Sequence, residues 1–204
     1  MIVRTIPAAL AAQRGLRPLA IVVALAAVVG VRWAIVVGDR APALATGVGF
    51  GALLVAVAVS AGARIRFSGT AYTAIGSIAV GIFGGLILVG LALSARPLAG
   101  PAPLFAPASS FLPWAGVTLL VAFAEELILR GVLFDAVAEA FGDLAAVATT
   151  SAVFALMHVP LYGWHVVPLD LGVGLWLGGL RLVSGSVVAP AIAHAVADLA
   201  TWWL

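Results

Sequence analysis

The sequence predicts an all-α, polytopic bundle of transmembrane helices, and three observations predict it. Hydrophobic side chains make up 64% of the 204 residues. Charged residues make up 9%, against about 25% in a soluble domain, too few to cover a compact surface in water. The apolar runs are also continuous over about 20 residues, the length a helix needs to cross the hydrocarbon core. A β-barrel would alternate apolar and polar residues in segments of about ten. Disorder would need low hydrophobicity and high charge, and the 23 Gly and 11 Pro follow no Gly-X-Y period.

Seven spans follow in order: 18–37, 43–62, 72–94, 111–131, 144–160, 166–183 and 186–204. Six or eight remain open, because 132–143 could extend the fourth helix well beyond the membrane. The first span has the positive flank of a signal peptide in Arg4, Arg14 and Arg17. Its apolar stretch exceeds the usual 7–15 residues and Arg32 interrupts it, which favours an uncleaved anchor. The fifth is expected to stop near His158, because Pro160 disfavours further helix. The last two are separated by Ser184-Gly185-Ser186. Gly172, Gly174, Gly178 and Gly179 offer the sixth span a small-residue face for close packing. The longest connection, 95–110, carries four prolines and divides three accessory helices (1–110) from a C-terminal functional bundle (111–204) within one transmembrane domain.

All ten basic residues are Arg, and with a net charge of +2 they form no cluster or stripe that would engage nucleic acid. Their asymmetry instead orients the chain. Arg4, Arg14 and Arg17 precede the first span, Arg64 and Arg66 follow the second, and Arg130 and Arg181 are expected on the same side. Arg40 and Arg96 fall opposite. The N-terminus is therefore expected in the cytoplasm, with the chain integral to a bacterial cytoplasmic membrane and surrounded by lipid. There is no Cys, which removes disulfides and thiolate metal sites.

An ionisable group inside a bilayer is a functional hypothesis by default, since insertion scales put it at about 2.5–3.5 kcal/mol at the helix centre. Apart from Arg32 the first three spans hold almost none. The C-terminal half holds Glu125, Glu126, Arg130, His158, Asp170, His194 and Asp198. Neighbouring helical residues differ by about 100° in direction, so Glu125 and Glu126 are expected on different faces. Glu126 and Arg130 are four apart with the acid first, a spacing that lets them pair. Glu125 is then left as the working carboxylate. The bland alternative is one neutralising network of both acids and the Arg. His158 alone reads as a helix-end or interfacial His as readily as a functional one. His194 and Asp198 lie side by side at i and i+4, which an intrahelical hydrogen bond would also explain. His165 reads as interfacial and Asp170 as an N-terminal helix charge, and both stay outside the candidate set.

Together these residues resemble the signature of the CPBP family, which comprises CAAX proteases and bacteriocin-processing, bacteriocin-immunity or abortive-infection proteins. The signature reads here as Glu125-Glu126-x-x-x-Arg130, Phe154-x-x-x-His158 and His194-x-x-x-Asp198, in order, over about 120–204. The resemblance implies an intramembrane endopeptidase of the glutamate type. Glu125 and His158 would activate a water, His194 and Asp198 would stabilise the oxyanion, and Glu126–Arg130 would fix the helix. General chemistry agrees, since a carboxylate withdrawn from water suits general-base work and aimed donors stabilise a tetrahedral oxygen. An ionised Asp198 cannot donate to an oxyanion as Asn could, so it is assigned to orient His194 as an imidazolium donor.

No cofactor is expected. Zinc is the rival, through Glu125, His158, His194 and Asp198, although no His-Glu-x-x-His motif is present. Two other classes stand beside the protease. One is a small proton-coupled transporter, for which no internal repeat was found. The other is a non-catalytic immunity protein. The substrate class is a peptide or lipid-modified protein; its identity, its prenylation and the oligomeric state are not written in the sequence.

Overall fold

The computed structural model describes residues 8–63, 71–95 and 110–204. Arg4, Arg64, Arg66, Arg96 and nearly all of the proline-rich 95–110 connection lie outside the described residues, as does the side chain of Arg14. The described chain is helical, with no strand among the described residues. The helices are α1 (Ala8–Val37), α2 (Ala43–Ser60), α3 (Ala71–Ala95) and α4 (Phe111–Glu126), then α5 (Phe134–Phe141), α6 (Asp143–Tyr162), α7 (Val167–Ser184) and α8 (Val188–Ala200). A π-helical segment, Leu127–Leu133, joins α4 to α5 without a break, and a 3₁₀ turn, Trp164–Val166, leads into α7. Counting α4, the π segment and α5 as one rod, the described residues form a helical membrane bundle of seven helices.

Among the described residues, five helical stretches are long and apolar enough to cross a bilayer: Gly15–Val37, Ala43–Ser60, Ala74–Ser94, Asp143–Tyr162 and Trp164–Ser184. Their large apolar side chains face outward, as at Leu16, Phe83, Leu144 and Leu169. That is what a hydrocarbon solvent permits. The seventh predicted span is the main departure, because α8 is a 13-residue helix that stops at Ala200, about 20 Å long at 1.5 Å per residue. The fifth also differs. It runs through Pro160 to Tyr162, ending at Gly163 with a φ of 87°. A proline in the last turn interrupts the helix ladder only where the helix is about to stop, so its cost there is small.

Two apolar cores divide the bundle. One gathers Leu25 of α1, Leu54 of α2, Ile128, Leu129 and Leu133 of the π segment, and Phe154 of α6. The other joins Leu88 of α3, Leu177 and Leu180 of α7, and Ala193 of α8. Close approach at glycine brings the elements together. A Cβ on Gly174 would sit 2.9 Å from Ser151 Cα, so α7 can lie against α6 only with glycine there. Gly178 meets Val147 in the same way, whereas Gly172 and Gly179 face open space, so two of the four expected glycines make the contact.

Candidate active site

The polar groups lie on the seam between the two cores. Glu125 and Glu126 end α4, and the π segment that follows carries Arg130. Single-turn π segments are uncommon and concentrate at functional sites. Here all three charged side chains are buried, with Glu126 and Arg130 fully so. Arg130 Nη1 donates to Glu126 Oε1 at 2.7 Å, giving the expected i,i+4 pair. Its Nη2 donates to the Gly174 carbonyl of α7 at 3.0 Å, and the guanidinium lies 5.0 Å from the Phe154 ring centre. The Arg130 carbonyl in turn accepts from Arg181 Nε at 2.9 Å. Arg130 is thus a tie between helices, not the surface charge that its use as an orientation signal assumed; Arg181, by contrast, reaches Asp135 of α5 at 3.0 Å.

His194 of α8 inserts between the two glutamates. Its Nδ1 is 3.0 Å from Glu126 Oε1, and Nε2 is 4.0 Å from Glu125 Oε2 and 3.4 Å from Asp198 Oδ2. A carboxylate can only accept, so Nδ1 carries the hydrogen and Nε2 faces Glu125 and Asp198. The expectation that adjacent glutamates must serve different faces is therefore corrected. Two long side chains converge on one imidazole, whose nitrogens project in different directions. Glu126 also holds more than Arg130, because its one oxygen takes both Arg130 and His194. Its other oxygen, with Arg130 Nε, is buried without a hydrogen-bond partner among the described residues.

His158 is held differently. Its Nδ1 donates to the Phe154 carbonyl one turn back at 2.8 Å and lies 3.6 Å from Asp170 Oδ2. That contact leaves Nε2 as the lone-pair nitrogen when the ring is neutral. Phe154 stands beside both imidazoles, with ring centres 4.7 Å from His158 and 5.4 Å from His194. Arg32 stacks over Phe50 at 4.3 Å and lines a cavity of about 140 Å³ between α1 and α2.

The structure therefore gathers Glu125, Glu126, Arg130, His194 and Asp198 around one imidazole, and the Phe154 ring stands between that group and His158. Sequence reasoning left out Asp170, which touches His158 from the first turn of α7. The default suspicion attached to an intramembrane carboxylate could have found it. Nothing in the sequence announces the Gly174 carbonyl. His165, on the 3₁₀ turn, is exposed and outside the cluster. The zinc alternative gains no ligand geometry, since no group of three His, Asp or Glu residues converges at metal-binding spacing among the described residues.

Residues 107–200 match the family model described as type II CAAX prenyl endopeptidase Rce1-like. The match lies on the C-terminal bundle and supports the CPBP/CAAX protease family, which implies a membrane peptidase at the family level. No curated protein and no solved structure matches the chain.

Proposed function

We propose that the chain is an intramembrane endopeptidase in which Glu125 and the free Nε2 of His158 activate a water. The observation that carries this reading is the pair of differently wired imidazoles. His158 is anchored through Nδ1 to a backbone carbonyl, which leaves Nε2 for proton transfer. His194 is anchored through Nδ1 to Glu126, which directs Nε2 toward Glu125 and Asp198. As an imidazolium it would donate from Nε2 to the oxygen of a tetrahedral intermediate. Asp198, 3.4 Å from that nitrogen, would orient it.

In the reaction, the water adds to the scissile carbonyl carbon while its proton passes to Glu125. The carbonyl oxygen takes the negative charge facing His194. Collapse breaks the C–N bond, and the proton returns to the leaving amine. Glu126 and Arg130 would hold the frame, and no step needs a group beyond the side chains and water. The substrate class is a peptide segment of a membrane-associated peptide or lipid-modified protein, reached through surrounding lipid. A carrier would string its titratable groups in file across the bilayer; the convergence of three carboxylates on His194 supports hydrolysis over that rival.

The test is cleavage of a prenylated CAAX peptide by the purified chain in lipid nanodiscs, followed by mass spectrometry. Cleavage is expected, and Glu125→Gln should lower it about 10²–10⁴-fold, the usual weight of general-base catalysis. Cleavage that persists unchanged in the Gln variant overturns the role of Glu125. Proton flux into proteoliposomes without any hydrolysis would favour the carrier instead.

A further inference from the structure

We propose that α3 is a positioning element of the site: Gly81 and Gly85 set the place of α8 and so bring His194 onto Glu126. The inference rests on the peptidase reading for what His194 does, and on packing alone for what holds it there.

α8 is a rod of 13 residues with two working faces. His194 turns toward the two glutamates that end α4. Ala189, Ala193 and Val196 follow one another at i, i+4 and i+7, which lines them up along a different face. Adjacent helical residues point about 100° apart, so Ala193 can meet one helix while His194 meets another.

α3 meets that second face with glycine. A Cβ on Gly81 would stand 2.7 Å from the Ala189 carbonyl oxygen and 2.8 Å from Ile192 Cβ. One on Gly85 would stand 2.9 Å from the Ala193 carbonyl oxygen and 2.6 Å from Val196 Cβ. A carbonyl inside a hydrogen-bonded helix cannot rotate aside as a side-chain end can. An added methyl group at either glycine therefore has to shift the rod itself. His194 is one residue from Ala193, so its 3.0 Å contact with Glu126 shifts with the rod.

Gly84 supplies the contrast. Its added Cβ would meet Leu180 Cδ1 of α7 at 2.7 Å, the far end of a flexible side chain with other rotamers to adopt. Neighbours on one helix thus aim equal bulk at a rigid backbone and at a yielding side chain. α3 also lies outside residues 107–200, so the family match assigns it no part in the site.

The chain has three His, at 158, 165 and 194. Labelling histidine at its ring nitrogens therefore gives a short NMR spectrum of the full-length chain in nanodiscs, assigned with single His→Gln variants. Gly81→Ala and Gly85→Ala should shift the His194 signals and leave those of the exposed His165 in place. Gly84→Ala should shift neither. In cleavage of the prenylated CAAX peptide, Gly81→Ala and Gly85→Ala should lose about 10–10²-fold in kcat per folded molecule, with KM nearly unchanged, as a misplacement of about 1 Å entails. Gly84→Ala should keep the wild-type kcat. Val196→Ala removes bulk from the same contact and keeps the test decisive where an added methyl group prevents folding; it should shift the His194 signals by less. Unmoved His194 signals in the folded variants overturn the proposal, as does an equal shift in Gly84→Ala or a shift with kcat unchanged. The NMR readout needs no catalysis, so the stated shifts in a chain that cleaves nothing fail only the peptidase reading.

Discussion

The two histidines occupy one site under opposite conditions. His194 is buried and bound through Nδ1 to a carboxylate that also holds Arg130. His158 is partly exposed and bound through Nδ1 to the carbonyl of its own helix. The first can change little without disturbing three helices; the second is held at Nδ1 alone, with Nε2 outside that anchor. In the proposed mechanism a fixed charge donor and a working base are different tasks, and the difference in anchoring would separate them. Each substitution below either strains that separation or measures it.

The largest effect is expected at Glu125, the carboxylate that His194 Nε2 approaches to 4.0 Å. His158→Ala should join Glu125→Gln in a loss of about 10²–10⁴-fold in kcat with little change in thermal stability. A combined variant no worse than either single one would confirm that they act as a unit. On the sealed side, Arg130→Met should act mainly on stability. Removing one partner of a buried pair costs about 3–5 kcal/mol, read as a fall in the unfolding midpoint in detergent. An Arg130→Met chain that melts like the wild type would erase the contrast between the two halves of the site.

Gly174→Ala comes next. The added Cβ would stand 2.9 Å from Ser151 Cα, and overpacking of this kind costs about 1–3 kcal/mol. Asp170→Asn should be milder, changing the pH profile of cleavage with at most about tenfold loss in rate, because the Phe154 carbonyl still holds His158. A flat, unaltered profile would remove Asp170 from the site. Smallest is Asp198→Asn, which should retain cleavage because an amide can still orient His194. Complete loss there would overturn the orienting role assigned to Asp198.

Much of this was legible beforehand for a simple reason: a bilayer leaves few uses for a charge. The skew of ionisable residues into the C-terminal half located the site, and i,i+4 spacing located the Glu126–Arg130 pair. What stayed hidden depends on distance in space. The second partner of Glu126 lies 68 residues away on α8, and no local spacing encodes it. Asp170 looked like a helix-start charge because its neighbour in space, His158, belongs to a different helix. The short α8 was overestimated because apolar composition continues to the last residue, past the point where the helix turns.

The contact between Arg130 and Gly174 has a consequence for how variation in α7 should be read. The cation is satisfied by a peptide oxygen, and every amino acid supplies one. The identity of residue 174 matters only because it sets how near that oxygen can come. A change at this position would look like a matter of bulk, with no charge gained or lost. Yet by pushing the two rods apart it would withdraw an oxygen from a buried cation and alter the balance of charge around His194.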